Sequence, residues 1–124
     1  MRARVYVTQP IAASATKRLR SAARVTMNPD SSRPLPKNNL IAAVKKADIL
    51  FPLLHDRVDR DVLAANPKLR AVCSMAITPD GIDVAEATAR GIPMVLGVLD
   101  ATRQIPDGVP VAVDGVAGVV RWMR

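Results

Sequence analysis

Short apolar runs alternate with helix-forming segments along most of this 124-residue chain. The apolar runs have the length and the β-branched content of strands, and they cover Arg4–Thr8, Arg24–Met27, Asp48–Leu54, Leu69–Met75 and Ile92–Leu96. The segments between them place apolar residues three or four positions apart, which predicts helices over Ile11–Ala23, Asn39–Ala47, Asp59–Ala65 and Val84–Arg90. Parallel strands need such a crossover, so the alternation predicts an α/β fold.

The expected architecture is a flavodoxin-like three-layer sandwich, with a parallel sheet of about five strands between two layers of helices. A hydrophobic content of 49% is enough to build its core. The only aromatic residues are Tyr6, Phe51 and Trp122, so this core is predicted to be aliphatic. Cys73 lies in an apolar run without a second cysteine to pair with, and we expect it to be an inert part of the core.

The charge of the chain is +7, and basic residues are spread along it rather than clustered. Runs such as Lys17–Arg20 and Lys45–Lys46 fall on the polar faces of predicted helices, which favours a solvated surface over nucleic-acid binding. No apolar run approaches the roughly 20 residues of a membrane span. We therefore expect a cytoplasmic protein without a membrane or nucleic-acid partner.

Ligands of open parallel sheets bind at the carboxyl ends of the strands, which here lie near Gln9, Leu54–Asp56 and Ala76–Asp80. His55, the only histidine, stands at one of these ends and has the chemistry of a general acid or base. We interpret it as a surface or cleft side chain rather than a catalyst. Asp80 and Asp83 fit a turn and a helix N-cap better than an acid–base pair.

The stretch from Ser74 to Pro93, SMAITPDGIDVAEATARGIP, resembles the substrate-binding lobe of the D-isomer-specific 2-hydroxyacid dehydrogenases, of the glyoxylate and hydroxypyruvate reductase kind. Residues 7–11, 33–36 and 53–59 are similar to other parts of that lobe in the same order, so the resemblance extends over most of residues 4–102. It implies that backbone N–H groups of a loop hold the substrate carboxylate. The substrate-binding residues it implies are Leu54, His55, Ala76, Ile77 and Thr78.

Three positions in this loop depart from the family pattern. Thr78 stands where the family usually has glycine, Pro79 where it has an aromatic residue, and Gly81 where asparagine is common. Threonine fits a positive-φ turn less well than glycine, and proline has no N–H to donate. The carboxylate site is therefore either rebuilt or lost.

Hydride transfer needs a nicotinamide site, normally a strand-turn-helix that carries G-x-G-x-x-G, and this sequence has no such motif. No position matches the Arg, Glu and His that the resemblance implies for catalysis. We therefore expect no catalytic residue, no metal and no cofactor for the chain alone. NAD or NADP would enter only if a separate nucleotide-binding chain completed the site.

Similarity to the family ends near Thr102, which divides the chain into a substrate-lobe-like domain, residues 1–102, and a divergent tail, residues 103–124. Prolines and a glycine in Arg103–Pro110 oppose a long helix, and Val111–Met123 is apolar. That last segment fits a short helix or strand on the sheet, or a surface that docks on another chain.

Three functional hypotheses remain. The first is a truncated or stand-alone substrate domain that binds a small 2-oxo or 2-hydroxy carboxylate, or a partner protein, and is inactive alone. The second is one half of a split NAD(P)-dependent oxidoreductase. The third is a structural or regulatory module that forms a homo-oligomer.

Overall fold

The computed structural model describes residues 1–30, 32–74, 78, 80–93 and 101–123. Its main sheet is parallel, with four strands in the order β2-β1-β3-β4. Their bounds are Arg4–Val7 for β1, Arg24–Met27 for β2, Ile49–Phe51 for β3 and Ala71–Val72 for β4. The α/β fold predicted from the alternating pattern is confirmed.

The helices that connect these strands also follow the prediction, although they are shorter. They are α1 (Ala13–Ala22), α2 (Lys37–Val44), α3 (Arg60–Ala64) and α4 (Val84–Ala89). Within the described ranges, no helix is both long and apolar enough to cross a membrane.

Strand order decides which helix covers which face of the sheet. Crossovers between parallel strands are right-handed, and the chain reverses direction across the sheet when it passes from β2 to β3. α1 therefore lies on one face, where Leu19 packs near Val5, Val7 and Phe51. The later helices lie on the other face, and their residues form a larger cluster with Leu50.

Two helices begin where the sequence places a capping aspartate. Asp59 accepts a hydrogen bond from the N–H of Val62 (3.2 Å), and Asp83 accepts one from the N–H of Glu86 (3.0 Å). These bonds satisfy N–H groups that have no partner within the helix. Gly91 follows α4 with φ of +69°, a conformation that glycine adopts without strain. The interpretation of Asp83 as an N-cap is confirmed.

Cys73 does not belong to the core, contrary to expectation. The strand predicted over residues 69–75 is only two residues long, Ala71–Val72. Cys73 follows it and is exposed, because β4 stands at the edge of the described sheet and pairs on one side only. The fifth predicted strand, Ile92–Leu96, falls mostly outside the described residues.

The segment beyond residue 100 contains a short helix, α5 (Ala101–Gln104), and an antiparallel hairpin separate from the main sheet. The hairpin strands are β5 (Val111–Asp114) and β6 (Val119–Trp122). Val111 pairs with Trp122 and Val113 with Val120, so these four residues share one face. The division of the chain at residues 102 and 103 stays a prediction.

Candidate functional site

Two buried polar side chains join the carboxyl ends of β1 and β3. Thr8 directly follows β1 and is fully buried, and its hydroxyl donates a hydrogen bond to Oδ2 of Asp56. The N–H of Leu53 lies between them, 3.0 Å from Oγ1 of Thr8 and 2.8 Å from Oδ2 of Asp56. This network fixes the start of the loop that carries Leu54 and His55.

Asp56 is 6% exposed, yet only one of its oxygens is satisfied by the network. Oδ1 is also buried and has no hydrogen-bond donor among the described residues. A small cavity of about 20 Å³ lies beside Asp56 and is also lined by Ser74, Thr78 and Gly81. That volume holds about one water molecule, so a substrate would have to bind above this cavity rather than in it.

Backbone contacts lock the loop after β3 to the loop after β4. The N–H of Val58 donates to the carbonyl of Gly81 (2.7 Å), and the N–H of Asp83 donates to the carbonyl of Val58 (2.9 Å). Gly81 is required there, because a Cβ atom would lie 2.6 Å from the backbone oxygen of Asp56. The glycine that replaces the common asparagine of the family is therefore part of the contact between the two loops.

The residues predicted to bind substrate lie in these two loops as far as the structure describes them. Leu54 and His55 are both exposed, and neither belongs to the buried network. Thr78 is exposed, and its hydroxyl donates to Oδ2 of Asp80 (2.7 Å). Ala76 and Ile77 lie outside the described residues.

Sequence reasoning missed the roles of Thr8 and Asp56. It placed Asp56 only near the carboxyl end of a predicted strand, and it gave Thr8 no role. The available signal was weak: a polar residue ends an apolar strand, and a carboxylate follows the neighbouring strand. Only the fold shows that these two residues, 48 positions apart, meet.

The strand-turn-helix that opens the fold does not fit a dinucleotide. Residues 8–12, Thr-Gln-Pro-Ile-Ala, separate β1 from α1, and this turn contains no glycine to let a pyrophosphate approach the backbone. In the part of the chain that the structure describes, no group of three or more His, Cys, Asp or Glu residues could hold a metal ion.

The catalytic-domain profile of the D-isomer specific 2-hydroxyacid dehydrogenases matches residues 5–98. The chain belongs to this family. It is 37% identical over 92 residues to a glyoxylate reductase of Thermococcus kodakarensis, and 40% identical over 91 residues to one of Aeropyrum pernix. These matches cover 74% and 73% of the chain but 27% of each relative.

Solved structures agree with the family fold. A protein from Pyrococcus horikoshii superposes with a TM-score of 0.67 at 25% identity, over 77% of this chain and 28% of the other. A 2-hydroxyacid dehydrogenase-like protein from a Polaromonas species gives a TM-score of 0.71 at 18% identity, over 77% of this chain and 30% of the other, and shows the fold alone. The chain thus spans between a quarter and a third of these relatives.

Proposed function

We propose that this chain is the substrate-binding part of a 2-hydroxyacid dehydrogenase of the glyoxylate reductase kind. In this proposal, it binds a small 2-oxo or 2-hydroxy carboxylate above the loops that follow β3 and β4. The observation that carries the proposal is the contact between Val58 and Gly81, which holds these two loops together at the carboxyl edge of the sheet. Ligands of parallel sheets bind at this edge.

The binding residues in this proposal are Leu54, His55, Ala76, Ile77 and Thr78. Backbone N–H groups of Ile77 and Thr78 would hold the carboxylate, while Leu54 and His55 would line the opposite wall. The network of Thr8, Asp56 and Leu53 supports that wall, since it fixes the residue immediately before Leu54.

In our proposal, hydride transfer needs a nucleotide-binding unit that residues 1–124 do not provide. The turn after β1 lacks the glycines of a dinucleotide site, and no position of the sequence matches the catalytic Arg, Glu and His that the resemblance implies. Incubated alone with glyoxylate and NADH or NADPH, the chain is expected to oxidise neither cofactor. NAD or NADP would act only where a nucleotide-binding chain completes the site.

Carboxylate binding can be tested by NMR titration of the labelled protein with pyruvate, and with its neutral methyl ester as the control ligand. We expect saturable shifts at residues 54–58 and 78–82 with pyruvate and none with the ester. Thr78→Pro removes one N–H donor and should abolish these shifts, whereas Thr78→Val keeps the donor and should retain them. An absence of shifts at millimolar pyruvate, or equal shifts with the ester, would overturn the proposal.

A second candidate function, self-association, is favoured by an apolar groove between α1 and the sheet. The groove has a volume of about 570 Å³, and its wall includes Ile11, Leu19, Phe51 and Leu53. We propose that the β5–β6 hairpin of a second copy occupies it, because Val111 and Val113 are exposed on the apolar face of the hairpin. Two α1 helices would repel each other through basic residues such as Lys17 and Arg20, whereas Asp114 of the hairpin is exposed. Asp107 is already paired with Arg18 of its own chain.

A further inference from the structure

A second cavity lies away from the loops that follow β3 and β4, towards the amino ends of the strands, although Tyr6 in its wall is near enough to Asp56 to feel its charge. It has a volume of about 280 Å³ and is lined by residues of β1, β2, the C-terminal end of α2 and the turn that follows α2. Tyr6 and Thr26 line it together, because they are direct partners in the parallel pair β1–β2 and so project from the same face. Ala42, Ala43 and Ala47 form the helix side, and their small side chains leave the space open.

Some polar groups around this cavity are paired within the chain, and others have no partner among the described residues. Arg4 is neutralised, because its guanidinium donates to both oxygens of Asp48, at 3.1 Å and 2.8 Å. Lys46 lines the same cavity, and its ammonium group has no ion pair or hydrogen bond among the described residues. The same holds for the hydroxyl groups of Tyr6 and Thr26.

The chemistry of these three groups favours an anion. Burial and the nearby charge of Asp56 raise the pKa of Tyr6, so its phenol keeps its proton and can donate. Lys46 contributes a positive charge, and Arg24 lies on the same face as Arg4, its partner across β1 and β2. An anion in the cavity would accept hydrogen bonds from the exposed Lys46 and Thr26 and from the half-buried Tyr6, in place of the water that otherwise hydrates them.

We propose that this cavity binds a small amphipathic carboxylate, with the carboxylate against Lys46 and the hydroxyl groups and a short apolar body against the alanines of α2. The volume lies just below the range of roughly 300–1,000 Å³ that drug-sized ligands occupy, so the ligand must be small. Lys46 is the only unpaired cation among the described residues that line it, which favours a monoanion over a phosphate ester. The proposal does not depend on the function proposed for the opposite edge.

Benzoate is a suitable probe, with benzamide as its neutral analogue and inorganic phosphate as an anion without an apolar body. In NMR titrations of the full chain we expect benzoate to give saturable shifts at Tyr6, Thr26, Ala43 and Lys46. Lys46→Gln should weaken binding about 10-fold or more, since it removes a charge-assisted hydrogen bond. Lys45→Gln changes the net charge equally but lies outside the cavity wall, and it should leave the affinity unchanged.

Ala42→Leu provides a second test, because residue 42 is exposed at the cavity wall and a larger side chain there fills the cavity without entering the core. We expect this variant to keep its fold and to lose benzoate binding. The proposal is overturned if no saturable shifts appear, if benzamide or phosphate binds as well as benzoate, or if the Lys45 and Lys46 variants behave alike. Shifts at residues 54–58 or 78–82 would instead report the candidate site at the carboxyl edge.

Discussion

At the scale of single residues, the hydroxyl of Thr8 is a buried polar group with two hydrogen-bond partners. It donates to Asp56, accepts from the N–H of Leu53 and is fully buried. Thr8→Val keeps the shape and removes the hydroxyl, leaving Oδ2 of Asp56 with one donor instead of two. We expect the free energy of unfolding to fall by about 1–3 kcal/mol in urea titrations.

Thr8→Ser is the matched control, since it keeps the hydroxyl and loses one methyl group, worth about 1 kcal/mol. It should retain the NMR shifts of Leu53 and Leu54, whereas Thr8→Val should move them. If the two variants cost the same and leave both shifts in place, the hydroxyl does not support the loop.

The ion pair of Arg4 and Asp48 gives the chain a pH-dependent contribution to stability. Hydrogen bonds from the Arg4 guanidinium and backbone, followed by its charge, hold the pKa of Asp48 well below its usual value near 4. A carboxyl group with a lowered pKa stabilises the fold above its unfolded-state pKa, and this stabilisation is lost as the pH falls towards the folded-state pKa.

Urea unfolding midpoints measured at pH values from about 6 down to about 2 should therefore decline less steeply in Asp48→Asn than in the unmodified protein. Above about pH 4 the two curves should run parallel with the unmodified protein more stable, and they should converge below it, where an unfolded aspartate takes up its proton. If the two curves stay parallel throughout this pH range, the Arg4–Asp48 pair makes no pH-dependent contribution to stability.

At the scale of elements, Gly81 decides whether the loops after β3 and β4 can touch. A Cβ atom at this position would lie 2.6 Å from the backbone oxygen of Asp56, so Gly81→Ala must push the loops apart. We expect the free energy of unfolding to fall by about 1–3 kcal/mol and the NMR shifts of Val58 and Asp83 to change.

Gly91→Ala is the comparison for this variant. It introduces a side chain at φ of +69° but meets no atom within 4 Å. The substitution should lower the free energy of unfolding by about 1–2 kcal/mol for conformational reasons alone. The NMR shift of Val58 should stay unchanged. If Gly81→Ala leaves Val58 unmoved as well, the loops are not held together by the close approach of Gly81.

How far the sequence predicts each element depends on where its partners lie along the chain. The N-cap role of Asp83 was predictable, because the N–H it accepts from belongs to Glu86, three residues away. The link between Thr8 and Asp56 was not, because it exists only once β1 and β3 pair. Cys73 was misplaced for a related reason: its apolar neighbours indicate a strand but not where that strand ends in the sheet.

At the scale of the whole molecule, the two faces of the sheet are covered unequally. Leu50, on the face of α2 and α3, is fully buried, whereas its neighbours Ile49 and Phe51, on the α1 face, are only partly buried. α1 itself contains no buried residue. The asymmetry follows from the strand order, which sends only the first of the described crossovers to this face. The apolar groove beside α1 is its consequence.

If the hairpin of a second copy fills that groove, a charge placed on its wall should dissociate the assembly. Ala15 is exposed and lines the groove, so Ala15→Glu puts a carboxylate into an apolar contact without removing a core side chain. Ser14→Glu adds the same charge one residue away, outside the groove wall. In sedimentation experiments at tens of micromolar, we expect a dimer for the unmodified chain and for Ser14→Glu, and a monomer for Ala15→Glu. A monomeric unmodified chain, or a dimer that survives Ala15→Glu, would mean that the groove does not hold a second copy.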